Sequence, residues 1–181
     1  SRVLGVTDPS AFRHAIDLGV AMQLTNIARD VREDAQNSRR YLPADLLDQS
    51  PDIEALAAGH PETHEDIRRA LRCLLEEADR YYHSGITGLS YLPLRARLGI
   101  LVAARLYQAI GTEIQQMEFA VWENRAKVSL WKKVLISART FLYFCSHGGL
   151  RVKPKNHDAE LHRDLVGFPW AQPPQDGKSY S

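Results

Sequence analysis

The sequence predicts an all-α fold, and three observations carry that expectation. Apolar residues recur at helical spacing almost throughout the first 145 positions. No segment shows the apolar–polar alternation of a half-buried strand. Helix punctuation stands where the periodicity starts and stops, at Thr7-Asp8-Pro9 and at Gly59-His60-Pro61.

The elements follow in order. Asp8 as N-cap and Pro9 at the first helical position open a long helix over 9–36. Ser50-Pro51 opens a short one that runs to Ala58, and Gly59-His60-Pro61 stops it. A helix over 62–84 carries Ile67, Leu71, Leu74, Leu75 and Ala78 as its apolar stripe. Another over 93–117 turns Leu94, Leu98, Leu101, Val102, Ala104, Leu106 and Ile110 inward. The last runs over 129–145. Beyond Ser146, Gly148-Gly149, Lys153-Pro154-Lys155, Pro169, Pro173 and Pro174 break any helix. Residues 1–146 therefore read as part of one helical domain and 147–181 as a disordered tail, in which Phe168-Pro169-Trp170 is a docking candidate.

The length of 181 residues suffices for one domain with a sizeable core. A formal net charge of +1 gives no electrostatic case for a nucleic-acid partner. Cys73 and Cys145 lie far apart, without metal-ligand spacing, and fit free thiols in a reducing compartment. No apolar run reaches the ~18 residues of a membrane span. A cytoplasmic location follows as an expectation.

The first helix carries the chemistry. Gln23, Asn26, Asp30 and Asp34 are spaced by three, four and four. At ~100° per residue they fall within about 80° of one another, so two amides and two carboxylates share one stripe. Oxygen donors of this kind suit a hard divalent cation such as magnesium, with manganese an alternative. Phe12, Ile16 and Gly19 continue the stripe upstream, and Val20, Leu24, Ile27 and Val31 flank it. Such a helix is expected to be buried, with all four polar side chains pointing into one central cavity between helices 9–36 and 93–117. Carboxylates in that setting call for a cation, and Asp30 and Asp34 at i, i+4 repel each other without one. Arg29 and Glu33 are spaced for a local ion pair.

Residues 22–43 resemble the second aspartate-rich motif of the squalene/phytoene synthase family, and specifically its phytoene branch. The family pattern is A-M-Q-L-T-N-I-x-R-D-V-x-E-D-A-x-x-G-R-x-Y-L-P. The chain matches it at Ala21 through Ile27 and at Arg29, Asp30, Val31, Glu33, Asp34, Ala35, Arg39, Tyr41, Leu42 and Pro43. It departs at Ser38, where the family carries glycine, a residue that accepts positive φ more readily than serine does. The resemblance continues through Ala78-Asp79-Arg80-Tyr81-Tyr82 and Gly85 to Pro93. It extends through Arg97, Ala103, Ala104, Tyr107, Ile110 and Gly111, and through Arg125, Val128, Ser129 and Lys133.

The resemblance implies an isoprenoid-synthase-like helical bundle, here lacking its N-terminal helices, because the family's other aspartate-rich motif stands about a hundred residues earlier. It implies a prenyltransferase that condenses two geranylgeranyl diphosphates head to head. Phytoene then forms through prephytoene diphosphate, with magnesium as cofactor. Asp30 and Asp34 are the implied catalytic residues, and with Asn26 they are the metal ligands. Gln23, Asn26, Arg39, Tyr41, Tyr107 and Arg125 are the implied substrate contacts, with Glu33 behind the ligands and Lys127 beside Arg125. Phe12, Ile16, Gly19, Met22, Leu98 and Leu101 are candidate walls for the prenyl chain.

Other readings stay open at this point. A squalene or dehydrosqualene synthase would differ in chain length. A class I terpene cyclase shares the i, i+4, i+8 spacing of Asn26, Asp30 and Asp34. A non-catalytic partner subunit would keep the fold without turnover. Trp131, Lys132, Lys133, Leu135, Ile136, Arg139, Phe141, Leu142 and Phe144 form a basic, aromatic helix. It suits either a bilayer surface, as a peripheral membrane contact, or ordinary packing.

Overall fold

The computed structural model describes residues 6, 8, 10–47, 52–149 and 157–165. Five α-helices carry them: α1 Ser10–Gln36, α2 Ile53–Ala58, α3 His64–Thr87, α4 Leu94–Gln116 and α5 Leu130–Ser146. Short 3-10 turns join some of them, and a 3-10 helix, Ala159–Leu165, follows α5. No strand occurs among the described residues. Asp8 Oδ1 accepts a hydrogen bond from the Ser10 N–H at 3.0 Å, as an N-cap does. Pro9, Ser50 and Pro51 lie outside the described residues, as does Phe168-Pro169-Trp170.

α1 is the axis of the arrangement. It packs along α3 and also touches α2 and α4. Its buried face is Ala11, His14, Leu18, Ala21, Thr25, Ala28, Val31 and Ala35, at steps of three or four, joined by Asp17. Most of these are small, so α3 approaches closely. At Gly85 an added Cβ would stand 2.8 Å from Leu18 Cβ and 2.9 Å from its backbone nitrogen. Thr25 Oγ1 donates to the Ala21 carbonyl at 2.9 Å and accepts a hydrogen bond from the Tyr82 hydroxyl at 3.0 Å. Burial pushes the Tyr82 phenol up to about 12, so that proton stays on the ring oxygen.

The largest core surrounds the C-terminal half of α1, with Val31, Leu42, Leu56, Ile67, Leu71, Ile114 and Trp122. α2 ends in a Schellman turn. Gly59 takes φ of 70°, and the N–H groups of Gly59 and His60 reach the Leu56 and Ala55 carbonyls. Arg32 ties α1 to this region by donating to the carbonyls of Ala57 and Trp122.

α5 rests chiefly on α4 and buries only Thr140 and Phe144. Leu130, Trp131, Leu135 and Leu142 stay exposed, Trp131 at 77%. The chain then returns to the bundle. Residues 157–165, expected from composition to belong to a disordered tail, dock on α1 and α3. Tyr81 donates to the Leu161 carbonyl at 2.7 Å, and His157 and His162 reach Asp17. The buried Asp17 carboxylate needs donors, and these histidines supply them.

Gly85→Ala gains up to ~1 kcal/mol of helix propensity yet overpacks the α1–α3 contact, which typically costs ~1–3 kcal/mol. The variant should therefore unfold at lower urea than the parent chain. An unchanged or higher midpoint would contradict the close approach.

Candidate active site

Gln23 lies two positions after Ala21, and Asp30 two positions after Ala28. That is about 200° on a helix. Burying the alanine stripe against α3 therefore turns Gln23, Asn26, Asp30 and Asp34 to the other side of α1. Gln23 is exposed there, while Asn26, Asp30 and Asp34 are half-buried. Upstream on the same line, Phe12 and Gly19 are exposed. The all-round burial expected from composition is thus not what the described residues show. α1 is buried along one side and open along the carboxylate line.

Asp30 is held between two guanidiniums. Its Oδ1 accepts from Arg29 Nε at 2.8 Å and from Arg125 Nε at 2.9 Å, and its Oδ2 accepts from Arg29 Nη2 at 2.6 Å. Arg125 also reaches Glu33 Oε2 at 3.2 Å. The pair expected from spacing, Arg29 with Glu33, is therefore replaced by Arg29 with its neighbour Asp30. Glu33 is left to Arg125, which the segment between α4 and α5 brings in, 95 positions along the chain from Asp30.

The two carboxylates consequently titrate in opposite directions. Burial opposes ionisation of Asp30, but the guanidiniums of Arg29 and Arg125 outweigh it and hold the pKa below the ordinary value. Asp34 is pushed up, first by burial and then by the charges of Asp30 and Glu33, against the weaker pull of Arg39 and Arg125. The Asn26 Oδ1 atom is buried and has no hydrogen-bond partner among the described residues.

After α1 the chain turns sharply. The Ser38 N–H reaches the Ala35 carbonyl at 2.9 Å, and the Arg39 N–H reaches that of Asp34 at 2.8 Å. This is a Schellman turn with Ser38 in the left-handed region, at φ of 57°. Serine thus adopts the conformation for which the family pattern carries glycine, at some cost in strain. The turn sets Arg39 near Asp34, and the exposed Tyr41 follows. Tyr107, on α4, is half-buried against the cluster of Leu18, Ala21, Ala78, Tyr82 and Ala104. It lies within electrostatic reach of Arg29.

A second feature adjoins the carboxylate line. An apolar cleft of about 290 Å³ runs between α1, the end of α3 and α4. Phe12, Leu18, Gly19 and Met22 form its α1 wall, and Gly85, Gly88, Leu89, Leu92 and Ile100 the opposite side. Of the expected wall residues, Phe12, Gly19 and Met22 are there. Ile16 and Leu98 are not among the lining, and Leu101 is fully buried in a separate cluster with Leu89 and Phe144. Gln23, Asn26, Asp30 and Asp34 do not line the cleft. The single cavity expected for both features is instead two neighbouring stretches of α1, which meet near Met22 and Gln23. Sequence reasoning passed over Asp17, which is fully buried. An acid in the middle of an apolar helical face was the available signal.

Comparison with known proteins now decides the family. The squalene/phytoene synthase family model matches residues 1–132. The chain belongs to the squalene/phytoene synthase family. It is 35% identical over 175 residues to a phytoene synthase of Rhodobacter capsulatus, covering 90% of this chain and 51% of that protein. It is 38% identical over 137 residues to a 15-cis-phytoene synthase of Pantoea ananas, covering 75% and 44%. It is 41% identical over 134 residues to one from a Paracoccus species, covering 74% and 43%. The chain spans about half the length of the curated relatives it matches. The family span contains α1, the turn after it and Arg125.

The opposed titrations give a stability test. Asp30, with a depressed pKa, stabilises the fold above its unfolded-state pKa, and that contribution is lost as pH falls through the folded value. Asp34 has the opposite sign. Its ionisation weighs against the fold above its raised folded pKa, and the penalty is gone below the unfolded value. At pH 7 without divalent metal, Asp30→Asn should lose roughly 1 kcal/mol, the upper end for a partly exposed pair. Asp34→Asn should gain roughly 0.3 kcal/mol by relief of repulsion. Both differences should shrink below about pH 3.5, where carboxylates protonate. Urea unfolding at the two pH values checks this. Equal losses in both variants at pH 7 would contradict the assigned pairing.

Proposed function

We propose that this chain carries the diphosphate-binding portion of an enzyme that condenses two geranylgeranyl diphosphates head to head, through prephytoene diphosphate, to phytoene. One observation supports the reading above the others. Two half-buried carboxylates and an unpartnered buried amide oxygen share a helix face whose preceding turns border an apolar cleft. The names of the relatives point to the same product and favour it over a squalene-type one.

The donor set fits a hard divalent cation. Asn26 offers an amide oxygen without another partner among the described residues, and Asp34 carries an ionisation penalty that a cation would remove. Magnesium, or manganese in its place, would be held by Asn26, Asp30 and Asp34 and would neutralise the departing diphosphate. For Asp30 to take that role it must release a guanidinium. Arg125 then becomes free to pair with diphosphate oxygens, a contact its planar fork suits. Arg39 and Tyr41 stand on the turn just past the carboxylates, placed to close over the same group. Gln23 is placed to orient it from the cleft side. A prenyl chain seated in the cleft, against Phe12 to Met22, would cover these apolar walls and help to keep water from an allylic cation.

Substrate and product of such a reaction are lipids, so access from a membrane is part of the proposal. No helix among the described residues is long and apolar enough to cross a membrane. A peripheral contact from the cytoplasmic side suits α5, where exposed Trp131, Leu135 and Leu142 stand beside exposed Lys133 and Arg139. The chain should co-sediment with anionic phospholipid vesicles, and Trp131→Glu combined with Leu142→Glu should release it. Equal sedimentation of parent and variant would remove α5 from the contact.

The chemical test uses the protein extended to the full length of its relatives, with radiolabelled geranylgeranyl diphosphate at saturating magnesium. Asp30→Asn and Asp34→Asn should each lower phytoene formation by ~10²–10³, the usual loss for one well-placed electrostatic contact. In the same assay Gly19→Leu should fill the cleft and depress turnover without lowering Tm. An added Cβ there meets no atom within 4 Å, and leucine is the better helix former. Near-parental turnover in both aspartate variants would overturn the site. Metal-dependent diphosphate binding without turnover in the parent would favour a non-catalytic partner subunit.

A further inference from the structure

Asp17 sits on the buried side of α1 with no exposed surface. A carboxylate there requires partners for both oxygens. Its Oδ1 accepts from His162 Nε2 at 2.7 Å. Its Oδ2 accepts from His157 Nε2 at 2.7 Å and from Ser84 Oγ at 2.5 Å. His14, one turn earlier on α1, is also buried, and its Nδ1 donates to the Ser84 carbonyl at 2.9 Å. The rings crowd together, with centroids 5.0 Å apart for His14 and His157 and 4.6 Å apart for His157 and His162. One ligand-capable atom from each of His14, Asp17 and His157 lies within 4.8 Å of the other two.

A purely hydrogen-bonded anchor leaves part of this cluster unexplained. His157 and His162 are more than nine-tenths buried, yet each keeps an Nδ1 atom without a partner among the described residues. Buried ring nitrogens in that state are uncommon. The His14 tautomer is also informative. With its Nδ1 proton given to a backbone carbonyl, its Nε2 carries the lone pair, the arrangement by which metal-binding histidines are usually oriented.

We propose that His14, Asp17 and His157, oriented with the help of His162, form a site for a divalent transition-metal ion of the zinc class. The ion would fasten residues 157–163 to α1. Imidazole nitrogens with one carboxylate are the donor set of zinc and its neighbours, whereas magnesium prefers oxygen alone. His14 and Asp17 are three residues apart on one helix face, so α1 presents them side by side. His157 comes from 140 residues away, and an ion joining it to Asp17 would close a long loop. The site is distinct from the carboxylate line. Thirteen residues of α1, about 20 Å at 1.5 Å per residue, separate Asp17 from Asp30. The proposal does not rest on the prenyl diphosphate reading.

The test uses the whole chain and the metal alone. Metal-free protein is titrated with cobalt(II) under excess magnesium and followed by visible absorption, and zinc in protein purified without chelator is counted by mass spectrometry. The expected result is about one ion per chain, cobalt d–d bands, and a higher Tm with zinc. His157→Ala, on the docked segment outside the helical bundle, should weaken binding at least about tenfold. Asp30→Asn should leave it unchanged. Circular dichroism of the metal-free variants confirms that each is folded. Absence of bound metal in the parent would overturn the proposal. So would cobalt binding that survives His157→Ala, or binding that disappears in Asp30→Asn or under magnesium. A lower Tm in His157→Ala, with no metal bound by the parent, would also overturn it and make the cluster a hydrogen-bonded latch.

Discussion

Everything in this chain depends on how closely α1 can lie against α3. The contact is made by small residues, Ala21 and Ala28 on one side and Ala70, Ala78 and Gly85 on the other, which are among the most buried in the molecule. Close approach has two consequences. It seals Thr25 and Tyr82 into a dry hydrogen bond, and it fixes the rotation of α1 about its own axis. Once that rotation is set, the positions two residues away on the wheel must face outward. The carboxylate line is open because the alanine line is closed.

That geometry creates an electrostatic problem with a local answer. Asp30, Glu33 and Asp34 crowd one turn, and their mutual repulsion is balanced unequally. Arg29 and Arg125 converge on Asp30, while Asp34 keeps the penalty of burial and of its neighbours' charges. A site poised in this way has one acid committed to cations and another in want of one. Under the proposed function such a surface would exchange arginine contacts for metal and diphosphate, and Arg125, shared between Asp30 and Glu33, would be the residue released.

α1 also serves two further features. Its N-terminal turns wall the apolar cleft, and its buried face carries Asp17 toward the returning segment. His14 belongs to both, since it borders the cleft and stands in the histidine cluster. Docking of residues 157–165 is therefore coupled to the wall of the cleft through one side chain, although the two sites face different chemistry. The cleft is mostly apolar, whereas the cluster is built of nitrogen and oxygen donors.

The helices were legible from local information, because helical periodicity and end signals act over a few residues. The ends of α1, α4 and α5 fall within a residue of the expected ranges, whereas α3 starts two residues later and ends three later, and α2 starts only at Ile53. The aspartate motif was legible too, since three- and four-residue steps must share a helix face whatever surrounds them. Other features were not. Arg29 pairs with Asp30 rather than Glu33 because Arg125, from a distant segment, takes Glu33. Segment 157–165 has the composition of a tail, yet it docks because Asp17 must be satisfied from somewhere in space. The carboxylate line and the apolar cleft are separate stretches because α3 chose the buried side of α1. The sequence by itself determined which residues form helices and which four polar side chains lie in a row. Only the tertiary structure decided which side of α1 is buried, which cations meet Asp30 and which histidines meet Asp17. Those outcomes rest on contacts between residues 57 to 145 positions apart, and no local pattern encodes them.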